Sequence, residues 1–324
     1  MIRRLRIAIV GLVLLIRFAP SALAWNETGH MTVALIAYRR LSTEQKRHIA
    51  EILKAHPHYE SLLLDSKPDD VDAAEWVFMR AAVWPDLVRP DRSGNKPESI
   101  TKYHHGPWHY VDFPFVAPKD KDTIDAAQLK PNDPSLLTAL PDCVLKFSHS
   151  DSTNEEKAIN LCWILHLVGD VHQPLHCISL YNDENRRGDM GGNALAVRSH
   201  GTPTGLHAYW DDLLGTGTTY VAIDQIATTI TASSVHDPDK MPELKKHPTV
   251  ASWAAESHEL AVALAYLNGK LKTASWRGWE NREIQLDDIP ELPEGYEANA
   301  REVACRRVAL AGYRLADLLS QSMR

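Results

Sequence analysis

Apolar positions along this chain recur mainly at helical spacing. Residues 29 to 40 (GHMTVALIAYRR) carry that period, and Ser42-Thr43-Glu44-Gln45 has the form of a capping box that opens a second helix. A third helix is predicted over residues 71 to 83, ended by Trp84-Pro85. From 87 to 134 the chain is polar and proline-rich, which predicts mainly loop. Helical spacing returns over 135 to 148. It is strongest over 155 to about 172, where Asn154 is the expected cap and Ile159, Leu161, Cys162, Ile164, Leu165, Leu167 and Val168 supply the apolar positions. Pro174 stops or kinks that helix. The Gly-, Asn- and Asp-rich stretch 182 to 205 predicts turns with a short strand pair around Asn193 to Ser199. Further helices are predicted near 206 to 214, 219 to 232, 250 to 272 and 295 to 321. The last is amphipathic through Val303, Val308, Leu310, Leu315, Leu318 and Leu319. No repeat, long linker or low-complexity tract interrupts the pattern, so the expected fold is a single, mainly α domain with a small β-hairpin region.

The first 24 residues follow a different rule. Arg3, Arg4 and Arg6 precede an apolar run over residues 7 to 16, and Ala22-Leu23-Ala24 is a small-x-small cleavage signal. This predicts a secretory signal peptide, removed to leave one domain over residues 25–324. The apolar run is closed by Arg17 and is too short to span a bilayer. The mature protein is therefore expected to be exported, periplasmic or secreted, with no stable membrane association after cleavage. Net charge is −7 for the whole chain; without the four arginines of the leader, 31 basic residues face 42 acidic ones. So acidic a chain is a poor match for a broad phosphate-tracking surface. It still admits a phosphate substrate where metal ions supply local positive charge. The four cysteines, Cys143, Cys162, Cys177 and Cys305, include no Cys-x-x-Cys pair, so no thiolate zinc site is suggested. Export permits their oxidation, in any of three pairings, although Cys162 sits in an apolar helical pattern that suits a buried thiol.

The sixteen histidines are unevenly placed. In ILHLVGDVHQPLH, residues 164 to 176, His166 and Asp170 are four apart and share a helix face among apolar neighbours. A buried carboxylate needs a partner, and a metal ion between imidazole and carboxylate is one. Beyond Pro174, His176 can turn back toward the same point, whereas His172 lies about 240° around the helix from His166 and faces elsewhere. LHAYWDD repeats the spacing with His207 and Asp211; YHHGPWHYVD adds His104, His105 and His109; WPD adds Asp86. His and Asp ligands from several segments, with no cysteine, suit zinc, with room for more than one ion. There is no Walker-type loop and no G-x-S-x-G elbow, and His258-Glu259 fails as H-E-x-x-H because residue 262 is Val.

Taken in order, W-x4-H from Trp25, W-x-D, H-Y-V-D, H-L-V-G-D-V-H-Q-P-L-H, G-G-N and L-H-x-x-W-D resemble the zinc-dependent single-strand-specific nucleases of the S-one/P-one type. WAAESHELA and AGYRLADLL near the carboxy terminus also look family-like. The resemblance implies a phospholipase C/nuclease-type helical fold and three zinc ions. One ion would be held by Asp86, His109, His166 and Asp170, and a second by His176, His207 and Asp211. A third would be held by His30, by Asp170 as a bridge, and by the free α-amine and carbonyl of Trp25. It implies hydrolysis of single-stranded DNA and RNA to 5′-phosphate products, with 3′-nucleotides as further substrates. Asp86 would orient or deprotonate the attacking water, and Arg89 matches a family arginine that supports the transition state. Tyr110 is a candidate to stack on a base, and Asp112 and Asn193 are candidates to hydrogen-bond its edge. His104 and His105 match no ligand position and read as loop or supporting residues. A monomer is expected. The sequon Asn26-Glu27-Thr28 is expected to stay unmodified, since a glycan there would crowd the metal site. The rival readings are a zinc-dependent phospholipase C, which has Glu where this chain has Asp211 and a longer Trp–His gap, and an exported zinc-binding protein without catalysis.

Overall fold

The structure, a computed structural model, describes residues 25–91 and 94–323; the expected signal segment, residues 1–24, lies outside them. The helices are α1 (Glu27–Arg40), α2 (Thr43–Leu53), α3 (Ala73–Ala81), α4 (Trp84–Leu87), α5 (Glu98–Thr101), α6 (Leu136–Ser148), α7 (Asn154–His172), α8 (Leu206–Asp211), α9 (Tyr220–Ala232), α10 (Glu243–Lys246), α11 (Val250–Leu260), α12 (Trp276–Glu280) and α13 (Tyr296–Ser322). The fold is mainly helical with two small sheets. Two helices are central. Every residue of α1 from Thr28 to Tyr38 is buried, as is every residue of α7 from Leu161 to His172. A helix apolar on all sides has no solvent face to prefer, so α1 and α7 lie inside a ring made by α3, α6, α9, α11 and α13. Buried apolar side chains from Trp25 to Leu319 form one contiguous core around them. Among the described residues, no helix is long and apolar enough to cross a membrane.

Helix starts largely follow local chemistry. Ser42 and Gln45 form the expected capping box at α2. At α7 the cap is Thr153, not Asn154, because Thr153 and Glu156 satisfy each other's backbone amides. Pro85 does not end the third helix, which stops at Ala81. It sits in the first turn of α4, where a missing N–H costs nothing, and so opens the turn that carries Asp86. The helix predicted over 250 to 272 breaks. α11 ends at Leu260 in a π turn, and Leu267 and Asn268 take positive φ. The expected hairpin is β3 (Leu195–Ser199) paired antiparallel with β4 (Thr202–Gly205), with β5 (Ala274–Ser275) on its other edge.

The long stretch 87 to 134 is less open than its composition suggests. It holds α5 and strand β1 (Pro114–Val116), which pairs parallel with β2 (Ser179–Tyr181) just past Pro174. The Val111 amide donates to the His176 carbonyl at 2.8 Å, which ties the His109 loop to the His176 turn. All four cysteines are free thiols, three of them buried.

Candidate metal centre and substrate cleft

His166 and Asp170 project from one face of α7 and are fully buried. His166 Nδ1–H donates to the Ala82 carbonyl at 2.8 Å, which leaves Nε2 as a lone pair 3.3 Å from Asp170 Oδ2. α1 reaches this point because residue 169 is glycine. A Cβ there would sit 2.7 Å from His30 Nδ1. The close approach brings His30 Nε2 to 3.4 Å from Asp170 Oδ1 and stacks its ring on that of His166 at 3.9 Å. A 3-10 turn over Gly106–His109 aims His109 Nδ1 at Asp170 Oδ2, 3.2 Å away, and at His166 Nε2, 2.9 Å away. α4 adds Asp86, whose Oδ1 lies 3.9 Å from His166 Nε2 and 4.0 Å from His109 Nδ1. Arg89 stands 3.5 Å from the same oxygen.

The second group is built where α7 ends. His176 Nδ1–H donates to the His109 carbonyl at 2.7 Å, and His207 Nδ1–H donates to the Gly191 carbonyl at 2.6 Å. Gly191 holds φ +62°, and a Cβ there would collide with the Leu175 carbonyl at 2.2 Å, so only glycine presents its carbonyl to His207 in this way. His207 Nε2 then lies 3.1 Å from His176 Nε2 and 3.5 Å from Asp211 Oδ2. Gln173, which sequence reasoning passed over, donates to Asp211 Oδ1 at 2.7 Å.

These distances pose an electrostatic problem. With Nδ1 donating to a carbonyl, the facing Nε2 atoms of His176 and His207 are both acceptors. Burial, followed by repulsion between neighbouring imidazoles, lowers His176 well below the ordinary range; burial lowers His207 to about 4. Neither ring is therefore protonated near neutrality. Burial likewise lowers His30, His109 and His166, and pushes Asp170 and Asp211 up. Both Asp170 oxygens, Asp211 Oδ2, Asp86 Oδ1 and both nitrogens of His30 are buried without a hydrogen-bond partner. Convergent lone pairs on buried, unpartnered atoms are relieved by cations. Three such groups have ligand atoms within mutual reach: His30, His166 and Asp170; Asp86, His109 and His166; His176, His207 and Asp211. The donors are imidazole and carboxylate, and the imidazoles of His166, His176 and His207 are oriented by backbone carbonyls, as ligating histidines usually are.

Trp25 is fully buried beside the second group, where the Asn26 amide meets the Asp211 carbonyl at 3.4 Å. Its α-nitrogen is bonded to residue 24, outside the described residues. Asn26 caps α1 through Oδ1, and its Nδ2 donates to Asp212 and to the Gly215 carbonyl.

Beside these groups opens a cleft of about 370 Å³. Arg89, Tyr110, Asp112 and Asn193 all line it, together with His109, His176 and His207. Sequence reasoning gathered these residues, but it left out Met190, an exposed apolar residue at φ +56°, and took His104 as a supporting residue only, although it forms part of the wall. His105 instead stacks on Trp108 at 3.8 Å. Burial raises the Asp112 carboxyl to about 6.

A family model described as S1/P1 Nuclease matches residues 25–324. The chain belongs to the S1/P1 nuclease family. Membership of this family implies nucleic acid substrates and hydrolysis of phosphodiester bonds. Endonuclease 3 of Arabidopsis thaliana is 23% identical, with 98% of this chain and 95% of that protein aligned. Nuclease S1 of Aspergillus oryzae is 26% identical over 60% of this chain and 55% of its own length. Nuclease P1 of Penicillium citrinum is 24% identical over 58% of this chain and 57% of its own. S1/P1 nucleases depend on zinc, and the three His/Asp groups have the donor chemistry for it. The mainly helical fold with small sheets agrees with that family.

Proposed function

We propose that residues 25–324 form an exported, trinuclear-zinc phosphodiesterase that hydrolyses single-stranded DNA and RNA to 5′-phosphate products and also acts on 3′-nucleotides. The observation that carries this reading is the floor of the cleft. There, neutral imidazoles turn their lone pairs on one another and on unpartnered carboxylates, beneath walls that carry an arginine and an aromatic ring. Asp86, His109, His166 and Asp170 hold one ion; His176, His207 and Asp211 hold a second. His30, Asp170 and the amine and carbonyl of Trp25 hold a third. Zinc bound there supplies Lewis acidity toward the phosphoryl oxygens and a water nucleophile near neutral pH.

The chain's own groups do the rest. The Asp86 carboxylate orients the attacking water and accepts its proton. Arg89, beside Asp86, donates to the phosphate as charge builds there, a task suited to a guanidinium. As the water oxygen bonds to phosphorus, the bond from phosphorus to the 3′ oxygen breaks; that oxygen leaves with a proton from solvent as the 3′-hydroxyl of the upstream nucleotide, and phosphate stays on the 5′ oxygen of the downstream one. Tyr110 offers a ring for a base to stack on, while the Asp112 carboxylate and Asn193 Oδ1 accept from the base edge; Asn193 Nδ2 is taken by the Met190 carbonyl at 2.7 Å. A base must leave the duplex to lie in this way, which favours single strands. Export is supported by the three-part leader and by a family match that begins at Trp25.

The test is turnover by purified protein starting at Trp25, on single-stranded DNA, RNA, 3′-AMP and phosphatidylcholine, with and without chelator. Chelator-sensitive turnover of the first three is expected. Turnover of lipid alone, or of nothing by zinc-loaded protein, overturns the reading.

A further inference from the structure

WAAESHELA and AGYRLADLL supply no group to the cleft or to the three His/Asp clusters. They meet behind the last turn of α7. Arg307, Arg314, Glu256 and Ser257 are all buried there. Arg307 Nε donates to the His172 carbonyl at 3.1 Å, Nη1 to Glu256 at 3.1 Å, and Nη2 to Ser257 Oγ at 2.7 Å and the Trp253 carbonyl at 3.3 Å. Ser257 Oγ–H in turn donates to the Val171 carbonyl. Arg314 Nη1 donates to Glu256 at 2.7 Å and to His172 Nε2 at 2.8 Å, and His172 Nδ1–H donates to the Val168 carbonyl at 2.7 Å.

The held carbonyls belong to the last turn of a helix, which has no amides of its own to satisfy them. A guanidinium also suits the negative end of the helix dipole. Yet two buried guanidiniums share one carboxylate, and burying such charge is costly where an apolar plug would fill the space. What an apolar plug would not do is fix the turn. That turn separates Asp170, on the helix, from His176, past Pro174, and Gln173, which follows it directly, holds Asp211. We propose that Arg307 is a positioning residue for the metal centre: by holding the His172 carbonyl and, through Ser257, the Val171 carbonyl, it sets Asp170 against His176. This rests on the metal-centre reading above.

The test compares Arg307→Lys and Ser257→Ala with Leu315→Ala, a buried change on α13 outside this network. Two readouts decide, both on protein starting at Trp25: amide hydrogen exchange over residues 170 to 177 in the metal-free state, and zinc affinity by chelator competition; kcat, KM and Tm are measured beside them. Arg307→Lys keeps the charge but loses the fork, and Ser257→Ala loses one hydroxyl. Both variants are expected to exchange about tenfold faster in that segment and to bind zinc about tenfold more weakly. Their kcat falls while KM for an oligonucleotide stays near wild type. Leu315→Ala lowers Tm and leaves exchange and affinity unchanged. The proposal is overturned if exchange and affinity move less than threefold in both variants, or if Leu315→Ala reproduces the changes. Should Arg307→Lys fail to fold, Ser257→Ala decides alone. A wild-type protein without nucleic-acid turnover would defeat the functional reading and leave these two comparisons standing.

Discussion

Gln173 donates to Asp211 at 2.7 Å and accepts from the Leu175 amide at 2.6 Å, so one amide both orients a proposed ligand and shapes the turn before His176. Partners of this kind typically contribute about 10–100-fold to metal affinity. Gln173→Ala is expected to weaken zinc binding by that order; chelator competition giving less than a twofold change would refute the role. A second residue-scale prediction concerns His56, away from the metal groups. Its Nδ1 accepts from the His58 amide, while Nε2 is buried without a partner. Burial, and then the nearby His58, lower its pKa from 6.5 to about 3. The unfolded chain takes up a proton that the folded chain refuses between those values. Stability from the neutral ring is thus fully present above about pH 6.5 and lost as pH falls toward 3, at about 1.4 kcal/mol per unit. His56→Phe should flatten the acid limb of a Tm-against-pH curve, and an unchanged slope would refute the assignment. The His and Asp residues that come together were legible at this scale, as was that His172 faces elsewhere, toward Arg314. The Ala82, His109 and Gly191 carbonyls that orient the imidazoles were not, because a backbone acceptor carries no residue signature.

Among the elements, the contact of α1 with α7 depends on Gly169. Adding a Cβ there, 2.7 Å from His30 Nδ1, forces the helices apart or tilts the imidazole. Overpacking of this kind costs about 1–3 kcal/mol. Gly169→Ala is expected to lower Tm and to remove about one zinc per chain, the one assigned to His30; metal analysis showing full zinc content would contradict this. Helical periodicity located α1, α6, α7, α9 and α13 well, since long amphipathic or apolar runs repeat many times, and a capping box located the start of α2. It failed where elements are short. Three-residue strands such as β1 and β2 show no alternation, and their pairing joins residues far apart in the chain. Pro85 was read as a stop because a proline reads alike before a break and in a first turn; what decides is whether a helix already precedes it.

For the molecule as a whole, the proposed mature amino terminus, Trp25, lies next to the second His/Asp group. The Asn26 amide meets the Asp211 carbonyl, and the Asn26 side chain is tied to Asp212 and Gly215, so residue 25 is held beside the segment that carries Asp211. A free α-amine with a pKa of about 7.7–8.0 can be displaced from its proton by a metal, whereas a peptide nitrogen is a very poor ligand. One extra residue before Trp25 is expected to abolish binding of the third zinc and most activity; three zinc ions and full turnover in that variant would sink the idea. The sequence by itself determined the helical class, the types and order of the candidate ligands, and the family resemblance, because periodicity and i, i+4 spacing are local properties of the chain. Only the tertiary structure decided that α1, α4, the His109 loop, α7 and α8 converge on one floor, and that Arg307 braces it from behind. Those contacts join residues far apart in the chain: Arg307 and His172 are 135 positions apart, and Asn26 and Asp212 are 186. They follow from which glycines let helices approach and which carbonyls are left to be satisfied, and neither is written in local pattern.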